Sequence, residues 1–332
     1  MTEITRRKML GAAAGAAVAS AVPARAQSTI TWNAYSYTPA ATLAPARGLA
    51  RISEGIERES NGALKIRVHL GGSLPIGATD ISNALSDNVV QLGDDGLFQG
   101  NLPITGLLRL PMLVATPEEF DKAVAVLRPY FEQAYAAKGV VLLGQYYYPL
   151  QVAWSRKPLN SLSDIKGQKM RVTSAEQSEF VRRLGGTPVT VGPSEVPSAL
   201  DRGVVDGVFT ASSGGGKIWR DLLKYNYRIG PNFFDASIAA NKVALEKLAP
   251  DLQSKLRALV AETVPWITAE LRREEIEVTK QLSSAGITVV DVRPSDIQDA
   301  AKLMAPYWDD WAKQRGADAG TALAKVRTAL GH

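Results

Sequence analysis

Between residues 63 and 70 the chain reads ALKIRVHL, and apolar and polar positions alternate without a break. Leu64, Ile66, Val68 and Leu70 fall on one face, with Lys65, Arg67 and His69 on the other. A period of two predicts a strand with one buried side. The run STITWNAYS at 28–36 alternates in the same way and predicts an earlier strand. Between the two, Leu49, Ile52 and Ile56 recur at helical spacing, so a helix is expected over 46–60, closed by the turn Ser60-Asn61-Gly62. A helix over 78–87 and a strand in VVQLGDDG at 89–96 repeat the order. Thr116-Pro117-Glu118-Glu119 carries a cap hydroxyl, a proline at the first helical position and a glutamate three residues after the cap, predicting a helix to about residue 137. The apolar run GVVLLGQYYY at 139–148 then predicts a buried strand, ended by Pro149.

The second half centres on residues 164–207. Gly167 precedes Lys169-Met170-Arg171-Val172, a turn feeding a short strand. A helix is expected over 195–202, and Val204-Val205-Asp206-Gly207 predicts a strand and turn. The spacing suggests two strand–helix–strand units whose strand ends meet at one crevice, where ligands of open α/β sheets bind. SSGGGKIW at 212–219 predicts a mobile turn feeding a helix over 218–223. One returning strand and a helix are expected in YNYRIGPNFFDASIAANKVALEKL. Long helices interrupted at Pro265 follow, then a last strand in ITVVDV, a closing helix and a tail helix.

Composition changes the picture only at the N-terminus. The chain has 332 residues, 45% of them hydrophobic and 21% charged, enough for two domains. TRRKML, the weakly apolar GAAAGAAVASAV and the small-residue end Ala24-Arg25-Ala26 predict a cleaved export leader over 1–26, with Arg6-Arg7 resembling a twin-arginine signal. The net charge of +5 owes much to that leader, where Arg6, Arg7, Lys8 and Arg25 stand against Glu3. No basic patch interleaved with aromatic residues points to nucleic acid.

There is no cysteine, and the two histidines, His69 and His332, lie far apart in sequence, so neither thiolate chemistry nor a histidine zinc site is expected. The chain lacks the GxSxG elbow, HExxH and the phosphate-binding GxxxxGK[ST] pattern. An exported enzyme working through carboxylates alone stays open. Arg171, on a short strand among apolar neighbours, is either an edge charge or a fixed clamp whose planar fork suits a carboxylate.

DIKGQKMRV, then LGGTPVTVGPSEVPSALDRGVVDG, with weaker likeness at ESNGALKIRVHLGGSLP, resembles the substrate-binding subunits of TRAP transporters, the DctP family. The resemblance implies a periplasmic receptor of the type II binding-protein kind. Two α/β domains would be joined by crossing strands and a long helix, and would close on an organic acid for delivery to a membrane permease. On that reading residues 27–149 and 237–276 form one domain, 150–236 and 277–332 the other. The crossings near 149–152 and 235–238 would be the hinges, and the protein a monomer without a cofactor.

Many relatives in that family carry a second arginine twenty residues before the clamp arginine, and that position here is Gln151. An asparagine common after the Asp-Gly turn is Thr210, and Phe209-Thr210 replaces the glutamate and tryptophan of the keto-acid binders, so no metal is expected. The resemblance therefore implies Arg171 as the principal anion contact, with Gln151 and Thr210 as neutral partners. Phe209, Tyr148, Trp154, Phe233 and Asp95 are further candidate lining residues. A monocarboxylate is favoured, a dicarboxylate or a keto or hydroxy acid being the alternative, with a second charge partner from Arg156, Arg220 or Arg228.

Overall fold

The structure, a computed structural model, describes residues 29–97 and 101–331. The predicted leader, residues 98–100 and His332 lie outside them. The strands are β1 Ile30–Ser36, β2 Leu64–His69, β3 Leu92–Asp95, β4 Val140–Tyr148, β5 Val152–Ser155, β6 Lys169–Val172, β7 Thr187–Thr190, β8 Gly207–Thr210, β9 Tyr225–Tyr227, β10 Phe234–Asn241 and β11 Thr288–Val290. They form a five-stranded sheet in the order β2-β1-β3-β10-β4 and a six-stranded sheet in the order β11-β9-β5-β8-β6-β7. In the first, β1 runs parallel to β2 and β3, and β10 runs antiparallel to β3 and β4. In the second, β6 runs parallel to β7 and β8, while β5 is antiparallel to β8 and β9. Helices complete two α/β units.

Local chemistry explains the elements. Leu64 and Ile66 of β2 are buried, as the alternation requires, and Leu49, Ile52 and Ile56 face the core from the helix Ala44–Glu59. Thr116 accepts a hydrogen bond from the amide of Glu119 (3.1 Å), and the Glu119 carboxylate accepts one from the amide of Ala115 (2.7 Å), capping the helix Pro117–Ala136.

Several elements differ from the sequence reading. The strand placed over 204–207 begins instead at Gly207, because the Asp206 backbone is taken by Lys169 and Arg156 and Val204 is exposed. The single returning strand is two, β9 and β10. Residues 235–238, read as a hinge, lie inside β10 and pair with β3 and β4, so the chain crosses at 228–233. Ala319, Ala322, Leu323 and Val326 of the helix Ala317–Leu330 are buried in one core with Leu127, Phe131 and Tyr135 of the first unit, where the sequence puts 277–332 with the second.

The helix Pro250–Gln281 runs on through Pro265 and ties the two units together. Glu274 on it pairs with Arg47 of the first unit (3.0 Å) and with Lys217 of the second (2.9 Å). Glu275 next to it accepts from the amide of Ser213 (2.8 Å) and pairs with Arg228 (3.0 Å).

Candidate functional site between the two sheets

Arg171 stands on β6 with 2% of its surface exposed. Its Nε donates to the carbonyl of Val191 (3.1 Å), and its buried Nη2 has no hydrogen-bond partner among the described residues. The guanidinium carbon lies 5.6 Å from the ring centre of Trp219, a cation–π distance. Burial pushes the guanidinium down to about 10, the nearby Tyr37 phenol opposing it. A buried cation with an open donor is costly unless an anion meets it.

Arg171 belongs to the wall of a cavity between the two sheets, with about 410 Å³ of space not filled by atoms. The second unit contributes Arg171, Thr173, Thr210 and Trp219; the first contributes Tyr37, Thr38, Leu97, Tyr148 and Phe234, with Gln151 from the connection. That space includes open solvent, and only about 40 Å³ admits a water-sized centre, so the cleft is nearly filled by its own walls. Among the described lining residues, Arg171 is the one that carries a charge. Phe234 makes edge contacts with Tyr37 (5.8 Å) and Tyr148 (5.6 Å), so the wall facing the arginine is a packed aromatic surface carrying phenol groups.

The glycine-dense stretch is a fully buried turn, Ser212–Gly216, rather than the mobile one the composition predicts. The amide of Gly215 donates to Thr210 Oγ1 (2.9 Å). A Cβ on Gly215 would stand 2.1 Å from Cζ3 of Trp219, so the residue must be glycine for that ring to lie where it does. After the turn come a single helical turn Lys217–Trp219 and a tighter one at Arg220–Leu222, in place of one helix.

Behind the aromatic wall lies Asp94 of β3, fully buried. It accepts from Ser36 Oγ and from Tyr146 Oη, each at 2.6 Å. Desolvation pushes its carboxyl up to about 7, against the lowering effect of those two bonds. The Tyr146 hydroxyl is 3.2 Å from that of Tyr37, which is 3.4 Å from that of Tyr148. Burial holds all three phenols above their ordinary range.

The structure thus brings Arg171, Gln151, Thr210 and Tyr148 to one cavity. It places the other four candidates elsewhere. Phe209 is fully buried against Phe180 (6.0 Å between ring centres). Trp154 lies behind the wall, donating from Nε1 to the carbonyl of Thr210 (3.1 Å). Asp95 points away from Asp94 and accepts from Tyr135 Oη (2.9 Å). Phe233 packs on Phe120 and Tyr147, and its neighbour Phe234 lines the cavity. Of the alternative arginines, Arg156 donates to the carbonyl of Leu200, Arg220 lies near Asp221 (3.9 Å), and Arg228 pairs with Glu275. None of the three is in the cavity wall.

Tyr37, Thr38 and Phe234 escaped the sequence reading. Their available signal was position, at the end of β1 and the start of β10, where strand ends of an α/β sheet open onto a crevice. Among the described residues no three His, Cys, Asp or Glu side chains gather as a metal-binding group, and no helix is long and apolar enough to cross a membrane.

Residues 36–314 match the model of the bacterial extracellular solute-binding proteins, family 7 (DctP). The chain belongs to that family, the substrate-binding subunits of TRAP transporters, whose members are solute receptors rather than enzymes. It is 25% identical to the C4-dicarboxylate-binding periplasmic protein DctP of Rhodobacter capsulatus, over 97% of this chain and 99% of that one. It is also 25% identical to the ectoine/5-hydroxyectoine-binding periplasmic protein of Ruegeria pomeroyi, over 95% of this chain and 93% of that one. A crystal structure of an extracytoplasmic solute receptor of Bordetella pertussis binding pyroglutamic acid superposes with a TM-score of 0.84 and 25% identity, covering 90% of this chain and all of that one. The family resemblance in the sequence and the type II-like fold expected from it both hold.

Proposed function

We propose that this chain is an exported periplasmic receptor that takes up an organic acid with a single carboxylate on Arg171 and hands it to membrane permease subunits. The observation that carries the reading is the buried Arg171 guanidinium: among the described residues its Nη2 has no partner and the cavity wall holds no second charge. A planar carboxylate satisfies that donor two-pronged. A second carboxylate would have to lie against Tyr148, Phe234 or Trp219 and lose its hydration there without a counter-charge. Gln151 and Thr210 supply neutral polar contacts, and the rings cover the apolar part of the acid. The receptor works as a monomer, binds one acid per chain and releases it unchanged.

A thermal-shift screen over mono- and dicarboxylic acids, aliphatic and aromatic, tests the reading in wild type and Arg171→Ala. Stabilisation of wild type by monocarboxylates, abolished in the variant, is expected. A clear preference for dicarboxylates, or equal stabilisation of both proteins, would overturn it.

A further inference from the structure

Asp94 does not line the cavity, yet two hydroxyl chains run from it to the cavity wall. Each ends on a lining residue, Thr38 in one case and Tyr37 in the other. A hydroxyl has one proton to give, so the direction of every bond in these chains can be worked out from the carboxylate outward.

An ionised carboxylate only accepts. Ser36 therefore spends its proton on Asp94 Oδ2 and Tyr146 spends its proton on Oδ1, both charge-assisted at 2.6 Å. Ser36 Oγ lies 2.7 Å from Thr38 Oγ1, too close for two oxygens with no proton between them. The proton there must come from Thr38, so the hydroxyl of this lining residue is left with lone pairs only. Tyr37 follows the same logic. Its neighbours are the oxygens of Tyr146 (3.2 Å) and Tyr148 (3.4 Å), and toward Tyr148 it is the donor. Whichever of the two receives it, the proton of Tyr37 is used among the phenols, and the oxygen of this lining residue is left with acceptor capacity only.

We propose that Asp94 is a positioning residue that fixes Thr38 and Tyr37 as hydrogen-bond acceptors, so that the acid taken by this cleft carries an O–H or N–H donor beside its carboxylate. The inference rests on the reading of Arg171 as the carboxylate contact and narrows the ligand class: a hydroxy acid or a lactam acid fits, a plain hydrocarbon acid does not. An acid lacking the donor leaves both acceptors desolvated and unpaired, which is how a site built for a polar group rejects its apolar analogue.

The device depends on the charge of Asp94. A protonated Asp94 has a proton to donate to Ser36 or Tyr146, and the chain it enters reverses, turning Thr38 or Tyr37 outward as a donor. The titratable groups that act on Asp94 are Tyr146 on β4 and Tyr37 after β1, with Asp95 beside it on β3 acting through its charge alone. Tyr148, Glu274 of the long helix and Arg171 of β6 act on the phenols at one remove, and Tyr135 acts on Asp95. Burial holds the Asp94 carboxyl near 7, so preference for donor-bearing acids weakens as pH falls below that value.

The test is calorimetric binding at pH 8 of matched pairs: lactate against propionate, and pyroglutamate against the lactone acid with a ring oxygen in place of N–H. The pairs are extended to any hit of the acid screen. Wild type is expected to prefer the donor member by about tenfold or more, the worth of one hydrogen bond of about 1.4 kcal/mol. In Asp94→Asn both members still bind and the ratio falls to about one. In Tyr146→Phe, which removes one chain and keeps the carboxylate, the ratio falls in part. In wild type the ratio declines between pH 8 and pH 6, and a merely structural role for Asp94 would not move it. Equal affinities within the pairs in wild type, or a ratio unchanged by Asp94→Asn, overturn the inference and leave the Arg171 reading standing. Absence of binding by every carboxylate tried overturns both. Should Asp94→Asn not fold, Tyr146→Phe and the wild-type pH series decide.

Discussion

Arg171 faces Trp219 across 5.6 Å, and its Nε meets a backbone carbonyl rather than a carboxylate. A buried arginine held by a ring and a carbonyl is positioned but not neutralised. Removing one partner of a buried charged pair costs about 2–5 kcal/mol, so Arg171→Ala should weaken acid binding at least about 30-fold. Arg171→Lys should recover little of that, since an ammonium cannot reproduce the planar fork. Arg171→Met should leave the ligand-free protein as stable as wild type or more so, because it removes an unmatched buried charge. Titration calorimetry and denaturant unfolding measure the two effects separately. Acid binding retained in Arg171→Ala would remove the residue from the site.

Asp94 makes stability depend on pH in an unusual direction for a carboxylate. Its folded pKa, about 7, lies above the ordinary 3.8, so the folded state holds the proton more tightly than the unfolded chain does. The stability this proton confers is fully present below about pH 4 and is lost as pH rises through 7. Unfolding of Asp94→Asn measured from pH 5 to pH 8 should lack that decline. Parallel curves for the two proteins would show that Asp94 does not titrate in this range.

Arg109 and Asp235 form a buried ion pair, 2.7 Å from Nε to Oδ1, with Arg109 also donating to the Asp235 carbonyl (2.7 Å) and lying 4.7 Å from the ring centre of Phe234. The pair holds the start of β10, and with it the Phe234 ring of the cavity. Asp235→Ala should destabilise the protein by about 3 kcal/mol or more, leaving a cation buried without its carboxylate. A shift of the urea midpoint checks it, and a loss under about 1 kcal/mol would contradict it.

Two glycines should respond oppositely to alanine. Gly215→Ala drives a Cβ into the Trp219 ring at 2.1 Å and crowds Thr210 Oγ1 at 2.8 Å, so it should cost about 1–3 kcal/mol and weaken acid binding together. Gly320, inside the helix Ala317–Leu330, has nothing within 4 Å of the place a Cβ would take, so it should gain about 0.5–1 kcal/mol as alanine and leave binding unchanged. Melting temperatures and one binding isotherm for each variant decide both.

The cavity takes walls from both sheets, so an acid that touches both should draw the two units together on binding. Small-angle scattering should give a smaller radius of gyration with saturating acid than without. Identical radii at proven saturation would rule out closure.

How much of this was legible in the sequence varied with the range of the forces involved. The alternation of β2 and the cap at Thr116 are local, and both appear where the pattern puts them. Arg171 was legible because a strand arginine among apolar residues is out of place unless something meets it. Phe233 and Phe234 look alike in sequence because sidedness along a strand changes with every residue, and nothing local says which ring faces inward. The role of Asp94 has no local sign, because its two partners, Ser36 and Tyr146, come from strands 58 and 52 residues away. The three glycines at 214–216 looked mobile because glycine signals both freedom and tight packing, and only the rings of Tyr148, Trp154 and Trp219 tell them apart.

Once the two units close over it, an acid held at Arg171, a residue only 2% exposed, leaves only when they part again. Its departure is then timed by the protein and not by the strength of its own contacts. Acids of different affinity share one upper limit on how fast they leave, the rate at which the walls separate. A partner that pries the walls apart would hasten the release of every one of them alike.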